Sequence, residues 1–198
     1  MIPLINRIKF ALCLLGVFLI IGGIYSYIKY NETPVKLETL KPGDVKAGKM
    51  VEGQVSFNFG VYEQKASTHY GFVDKSSQRI YFIIPIENKF MGISVKSNSK
   101  RFPIFSAQTQ KTFEYYNNNG ALPAPIRVNG SITAMNKKEI GFFQEAIQRS
   151  KLTEGNVNDV IVPYYIACDA FSGYLTMFIA GVVALGLGIA AVVVTKNA

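Results

Sequence analysis

Residues 10–28 read FALCLLGVFLIIGGIYSYI, and no charged side chain interrupts this run. A helix needs about 20 consecutive apolar residues to cross the hydrocarbon core of a bilayer, so the run predicts a first transmembrane helix. A cleaved signal peptide is the alternative, because basic residues come before the run. The run is long for a signal peptide and no small-x-small cleavage site ends it, so we expect an uncleaved membrane anchor.

A second uncharged run, YLTMFIAGVVALGLGIAAVVV, occupies residues 174–194 and predicts a second transmembrane helix. Basic residues lie just outside both runs, before the first one and, at Lys196, after the second. The positive-inside rule then places residues 1–9 and 195–198 in the cytoplasm and the loop between the runs outside it. We expect a multi-pass protein of the cell membrane that has the lipid bilayer as a partner.

Small residues form a stripe along the second run. Ala180, Ala184 and Gly188 recur every four residues, and Gly181 lies beside them. Small side chains let two helix backbones approach closely, so the stripe predicts specific helix pairing, within the chain or between subunits. The alternative is that these residues have no such role, because Gly and Ala are common in membrane helices.

The chain is basic, with 21 Lys and Arg residues against 13 Asp and Glu, a formal net charge of +8. In a membrane protein this balance favours contact with anionic lipid, or correct topology, over nucleic-acid binding. A domain outside the cytoplasm meets no nucleic acid, so we expect none as a partner. Of the two cysteines, Cys13 lies inside the first apolar run and Cys168 just before the second, which excludes a disulfide framework.

The segment between the runs is too long and too regularly patterned to be a linker. Residues 29–49 are polar and contain Pro34 and the turn Pro42-Gly43-Asp44, so they predict a stalk. Residues 50–170 predict an extracytoplasmic, β-rich domain. Its predicted strands are Met50–Phe57, His69–Val73, Arg79–Ile86, Phe90–Val95, Ile126–Thr133 and Asp159–Ile166.

Two helices are predicted within this domain. One covers Pro103–Tyr116, and a second begins at Asn136, where Glu139 three residues later completes a capping-box pattern. Three strands, a helix and two further strands are the order of a five-stranded barrel of the OB type. We therefore expect two transmembrane α-helices flanking a mainly-β (α+β) domain, an OB-like small barrel with one or two helices. A generic α+β domain is the alternative.

Three segments carry a resemblance to a known class of protein. They are KMVEGQVSFNFGVYE at 49–63, RIYFIIPI at 79–86 and PYYIACD at 163–169, the last shortly before the terminal apolar run. In this layout the chain resembles uncharacterised bacterial two-span membrane proteins that carry a domain of unknown function. The resemblance implies the same architecture and implies no activity.

Few residues suggest chemistry. His69 is the only histidine, and Glu63 and Asp74 are acidic residues near it in sequence. A zinc site needs three or four ligands, and the spacing of these residues fits none, so we expect no metal. No nucleophile elbow surrounds Ser67, and no glycine-rich phosphate-binding loop is present, so we expect no cofactor either.

These observations favour a non-enzymatic extracytoplasmic interaction module, an accessory subunit that binds another membrane protein or a homo-oligomer joined through the second run. A first alternative is a membrane-anchored hydrolase or lipid-handling protein with its site around His69, Glu63 and Asp74. A second alternative is an envelope sensor that acts through a partner.

Overall fold

The computed structural model describes residues 4–69, 72–168 and 173–196, and their side chains except at 4–7, 66–69, 72–77 and 194–196. The described residues form two compact units. The helical unit contains the two ends of the chain, and the sheet domain is Thr33–Asp169. The helices and strands, in chain order, are α1 (Leu4–Tyr30), β1 (Val35–Lys36), β2 (Met50–Val55), β3 (Val61–His69), β4 (Phe72–Ile86), β5 (Lys89–Lys96), α2 (Arg101–Tyr116), β6 (Ile126–Ala134), α3 (Lys137–Arg149), α4 (Val157–Val160), β7 (Ile161–Cys168) and α5 (Tyr174–Lys196).

The helical unit consists of α1 and α5. The segments Ile8–Tyr30 and Tyr174–Val193 have mean hydropathies of 2.3 and 2.4, and both are long and apolar enough to cross a membrane. Only 17% and 11% of these segments are buried, so neither is enclosed in the way that the core helix of a soluble protein is. The two apolar helices predicted from the sequence are therefore present.

The sheet domain is built on a mixed sheet, for which the described residues give seven strands in the order β1-β2-β6-β7-β5-β4-β3. The β1–β2 and β5–β7 pairs are parallel and the other four pairs are antiparallel. The short β1 is one edge and the long β3 is the other, and the two edges do not pair with each other. The sheet is open.

Helices cover both faces of this sheet, because its central strands are apolar on both faces. On β4, Ile80 and Phe82 belong to one core cluster together with Phe105 of α2. The intervening Ile83 belongs to a second cluster together with Phe143 of α3. The prediction that Arg79–Ile86 is a buried strand is confirmed, since every apolar side chain in it except Pro85 is buried.

The expected OB-like barrel is wrong. Closing a barrel requires the first and last strands of a sheet to pair, and here β1 and β3 are separated by five strands. The order of elements along the chain fits both architectures, because it does not reveal that β7 inserts between β5 and β6. The domain is the alternative that the sequence left open, an α+β fold.

The first hairpin also differs from its prediction. The sequence predicts separate strands at His69–Val73 and Arg79–Ile86, whereas residues 74–78 lie inside β4, and His69 at the end of β3 pairs with Phe72 at the start of β4. The β3–β4 ladder continues through this polar stretch, with Ser67 opposite Asp74. Ladder hydrogen bonds satisfy the backbone whatever the side chains are, so polarity alone does not mark a turn.

Residues 29–49 are not a free stalk. They supply β1, which pairs with β2, and the buried side chains of Leu37, Leu40 and Val45. Two short 3-10 turns, Leu37–Thr39 and Pro42–Asp44, space these apolar residues with neither a helical nor a strand period. The periodic hydrophobic pattern that would predict burial of these residues is therefore absent from the sequence.

Candidate functional site

Glu139 is held in place by the first turn of α3. The Asn136 side chain accepts hydrogen bonds of 3.0 Å from the backbone nitrogens of Lys138 and Glu139, and Glu139 Oε2 accepts one of 2.6 Å from the backbone nitrogen of Asn136. The predicted capping box is confirmed. Glu139 is nevertheless buried, with a side chain that is 6% exposed, and its other oxygen accepts a hydrogen bond from Lys65 Nζ on β3.

A shift in strand register places a second carboxylate beside the first. Val61 lies opposite Phe82 and Glu63 lies opposite Tyr81, so Tyr62 is an inserted residue in β3. A bulge of this kind re-aims the side chains that follow it. The Glu63 side chain is 8% exposed, its Oε2 is 3.8 Å from Lys65 Nζ, and that oxygen has no hydrogen-bond partner.

Tyrosine rings surround this charged group. The Tyr62 ring packs at 4.8 Å from the ring of Phe143 and at 5.7 Å from that of Tyr81, and the Tyr81 ring lies 5.1 Å from that of Tyr165. Lys65 Nζ lies 5.2 Å from the centre of the Tyr81 ring. Burial raises the pKa of both Tyr62 and Tyr81 above the ordinary value, so these phenols are neutral at physiological pH.

Gly92 on β5 makes room for this arrangement. A Cβ added at Gly92 would lie 2.5 Å from the Tyr62 hydroxyl oxygen and 2.7 Å from Tyr165 Cβ. Any larger residue would collide with the tyrosines, so the glycine is required by a close approach.

A cavity of about 430 Å³ opens beside these groups, between β3 and α3. Burial raises the pKa of the Glu63 carboxyl above its ordinary value, Lys65 and Lys138 oppose this shift, and Glu139 adds to it. The cavity thus offers a buried carboxylate with spare hydrogen-bonding capacity. Its lining residues are Tyr62, Glu63, Gln64, Lys65, Asn136, Lys138, Glu139 and Phe142.

A second feature is a group of packed rings, three exposed, one half-buried and one buried (Phe59), which we call the aromatic surface. The Phe57 ring lies 5.7 Å from that of Tyr115 and 5.5 Å from that of Tyr116, and Phe59 is 5.5 Å from Tyr116 and 6.4 Å from Phe113. Tyr116 is 55% exposed, and Phe113 and Tyr115 are exposed as well. The aromatic surface comprises Phe57, Phe59, Phe113, Tyr115 and Tyr116.

A buried asparagine fixes the aromatic surface. Asn58, between two of its rings, is fully buried and donates from Nδ2 to the carbonyl of Phe105 at 2.9 Å. Its backbone nitrogen donates to Thr112 Oγ1 at 3.2 Å, and Gln108 Nε2 donates to the carbonyl of Val55 at 2.7 Å. These bonds tie the chain after β2 to α2, so the rings are displayed from a rigid base.

Strand pairing brings the two chain ends of the sheet domain to one level of the sheet. Val35 pairs with Val51 near the start of β2, and Cys168 pairs with Gly130, which in turn pairs with Val51. The aromatic surface begins two residues after β2 ends at Val55.

The helical unit is packed through glycines. A Cβ added to Gly16 would lie 2.6 Å from the Leu185 backbone nitrogen, and one added to Gly23 would lie 3.0 Å from that of Phe178. In these two contacts the higher residue number on α1 meets the lower one on α5, so the helices are antiparallel. Gly181 and Gly188 approach α1 just as closely, with Cβ positions 2.8 Å from the Ile20 nitrogen and 3.1 Å from the Cys13 nitrogen.

The predicted site residues occupy different environments. In the stripe on α5, Gly181 and Gly188 are buried, Ala184 is half-buried and Ala180 is exposed. The glycines that meet the other helix thus recur every seven residues rather than every four.

The three residues of the alternative site do not all lie in the described part of the structure. Glu63 lines the cavity, whereas the side chains of His69 and Asp74 are outside the described residues. Along β3, six residues separate Glu63 from His69, roughly 20 Å of strand. Among the side chains that are described, no three of the types His, Cys, Asp and Glu are placed to hold a metal ion.

The sequence does not predict that Lys65, Tyr62 and Phe142 belong to a site. It predicts Glu139 only as part of the helix cap. Gly16 and Gly23 are seven residues apart, as are Gly181 and Gly188. This spacing is present in the sequence and predicts the contact between the two helices.

Comparison with known proteins places this architecture in a family. A family model described as "Domain of unknown function (DUF8577)" matches residues 5–196. No curated protein and no solved structure matches the chain. Since the match covers both apolar helices and the whole sheet domain, the chain belongs to the family described as Domain of unknown function (DUF8577).

Proposed function

We propose that this chain is a two-span membrane protein of the cell membrane, anchored by α1 and α5 with both termini in the cytoplasm. In this proposal the sheet domain is extracytoplasmic and acts as a non-enzymatic interaction module, an accessory subunit of a membrane assembly. The observation that carries the proposal is the aromatic surface, with Tyr116 55% exposed on a rigid base.

The chemistry of the surface indicates a protein partner. Phe and Tyr are enriched in the buried centres of protein interfaces, because they supply large contact areas with little loss of side-chain entropy. The rings carry no charge, and the nearby Glu114 is already paired with Gln110 at 2.7 Å. We expect the partner to present apolar side chains at the centre of the contact and polar groups at its rim.

The packing of the helical unit argues for a partner bound through the sheet domain rather than a homo-oligomer joined through α5. Gly181 and Gly188, the closest-approach residues of α5, already face α1 of the same chain. A second copy would have to bind α5 through the large side chains on its exposed face, such as Val182 and Leu187.

Affinity purification of the tagged full chain from native membranes tests the proposal. The double variant Tyr115→Ser/Tyr116→Ser removes two exposed rings. Ile104→Ser is the matched control, because Ile104 is 52% exposed on the same helix, 12 residues or roughly 18 Å away. We expect one membrane protein to co-purify with the wild type and with Ile104→Ser and to be lost with the double variant, at unchanged thermal stability. Co-purification that survives the double variant, or a lone species from the wild type, would overturn the proposal.

A further inference from the structure

The cavity between β3 and α3 contains a buried carboxylate that is incompletely hydrogen-bonded. Glu63 and Glu139 are both buried, with side chains 8% and 6% exposed, and Lys65 is the ammonium group beside them. Lys65 donates a hydrogen bond to Glu139 but is 3.8 Å from Glu63 Oε2, which is beyond hydrogen-bond distance. That oxygen is buried and has no hydrogen-bond partner among the residues that the structure describes.

The neighbouring described groups do not supply the missing hydrogen bond. Lys138 also lines the cavity, but it is exposed and its ammonium lies 5.5 Å from the centre of the Phe142 ring. Burial keeps Tyr62 and Tyr81 neutral. The charged and titratable groups that face Glu63 and the adjoining Tyr62 come from four elements: Tyr62 and Lys65 of β3, Tyr81 of β4, Tyr165 of β7, and Lys138 and Glu139 of α3.

A buried carboxylate oxygen that accepts no hydrogen bond is costly, because the ion pair with Lys65 at 3.8 Å does not replace the hydrogen bonds that water would donate. A bound cation that donates a hydrogen bond to this oxygen would remove the cost, and the free energy recovered would favour binding. The cavity volume of about 430 Å³ lies within the range of small-ligand sites.

We propose that this cavity binds the protonated amine of a ligand, with the ammonium group at Glu63 and its alkyl chain against the rings of Tyr62 and Phe142. The cavity walls fit this class of ligand. An alkylammonium needs a carboxylate at one end and apolar surface along its length. Aromatic rings beside the cation add an attraction of their own.

Two sources supply this chemistry, a free amine or the side chain of a lysine in a peptide. The second is compatible with the fold, because in the described sheet β3 is an edge strand paired only with β4. An extended peptide can add to such an edge through main-chain hydrogen bonds and place one side chain in an adjacent pocket.

The test titrates the full chain in detergent with three probes at about pH 8, where an alkylamine is protonated and carboxylates are ionised. The probes are n-butylamine, the peptide Ac-Ser-Val-Lys-Val-Ser-amide, and the same peptide with norleucine in place of lysine. Binding is measured by calorimetry on the wild type, on Glu63→Gln, and on Glu145→Gln, which removes an exposed carboxylate from α3, the helix that lines the cavity opposite β3.

We expect the amine-bearing probes to bind the wild type and Glu145→Gln equally, and Glu63→Gln roughly tenfold or more weakly, because a hydrogen bond to a charged group is lost. A lysine peptide that binds much more tightly than butylamine, and more tightly than its norleucine counterpart, assigns the source to a peptide strand on β3. Equal binding of butylamine and the lysine peptide assigns it to a free amine.

The proposal is overturned if neither amine-bearing probe binds, or if Glu63→Gln binds as the wild type does. A second measurement covers the case in which Glu63→Gln does not fold. Binding of butylamine to the wild type should weaken as the pH is lowered and Glu63 takes up a proton, and pH-independent binding would also overturn the proposal. Tyr115→Ser/Tyr116→Ser should leave amine binding unchanged, which separates this inference from the proposed function.

Discussion

Gly16 of α1 lies so close to Leu185 of α5 that a Cβ added to the glycine would be 2.6 Å from the leucine backbone nitrogen. Gly23 meets Phe178 in the same way seven residues later, and Gly181 and Gly188 repeat the spacing on α5. A period of seven residues, 3.5 per turn, keeps one seam of a helix facing its neighbour. The two apolar helices are therefore a specific pair, packed backbone to backbone.

Replacing Gly16 should separate this pair. Gly16→Leu forces a branched side chain against the α5 backbone, and overpacking of this kind costs about 1–3 kcal/mol. The matched control is Gly186→Leu in α5, because a Cβ there would meet nothing within 4 Å. Thermal unfolding of the full chain in detergent should show a lower Tm for Gly16→Leu and an unchanged Tm for Gly186→Leu. Equal Tm values for the two variants would contradict the packing.

A disulfide should join the two helices at a chosen position. A Cβ at Gly188 would lie 2.6 Å from Cys13 Sγ, so the thiol introduced by Gly188→Cys is within bonding reach of Cys13. Mild oxidation should form this bond, which peptide mapping by mass spectrometry detects. Gly186→Cys, on a face without neighbours, serves as the control and should stay reduced. The antiparallel pairing would be refuted if both thiols crosslinked to Cys13 alike.

We expect ionisation of the Glu63 carboxyl to lower the free energy of unfolding as the pH rises. Burial raises its folded-state pKa above the unfolded value, so between those two values the folded chain binds more protons than the unfolded chain. The free energy of unfolding therefore falls as the pH rises from the unfolded pKa, near 4.5, through the raised one, and it stays lower above that.

The variant Glu63→Gln removes this dependence while keeping the shape of the side chain. We expect wild type and variant to approach each other in Tm at acidic pH and the variant to gain relative to the wild type as the pH increases. Glu145→Gln, in which an exposed carboxylate is removed, should run parallel to the wild type. Thermal melts across pH 4 to 9 measure the difference, and parallel curves for Glu63→Gln would show that the Glu63 carboxyl is not buried as described.

Two glycines of the sheet domain should respond to alanine in opposite directions. At Gly130 in β6, a Cβ would lie 2.5 Å from the carbonyl oxygen of Ala167 in β7, so Gly130→Ala pushes two paired strands apart. At Gly141 in α3, a Cβ meets nothing within 4 Å, and Ala is favoured over Gly inside a helix by up to about 1 kcal/mol.

We expect Gly130→Ala to lower the Tm and Gly141→Ala to raise it, both measured by circular dichroism on the full chain. A neutral Gly130→Ala would show that β6 and β7 are not in the register described, Gly130 opposite Cys168.

Several features could be predicted from sequence because they depend on neighbouring residues. The two apolar runs follow from length and composition. The capping box at Asn136 and Glu139 is closed within a single helical turn, and the run Arg79–Ile86 is apolar enough to require burial wherever it lies. Each of these features needs only a few consecutive residues, and each is present in the structure.

The tertiary structure alone decided how these pieces combine. The sheet is open rather than a barrel because β7 inserts between β5 and β6, a choice made by long-range strand pairing. The charged cavity exists because an inserted residue in β3 brings Glu63 and Lys65 to Glu139, which is 74 residues from Lys65 in the chain. Leu37, Leu40 and Val45 are buried because the finished core accepts them, although their spacing has no period.

By itself, then, the sequence determined the two apolar helices, the buried strand and the start of α3, since each is settled by local hydrophobicity or local hydrogen bonds. Only the tertiary structure decided the strand order, the glycine seam between α1 and α5, and the meeting of Glu63, Lys65 and Glu139. The physical reason is that these depend on the summed free energy of contacts between distant segments, which no single stretch of residues encodes.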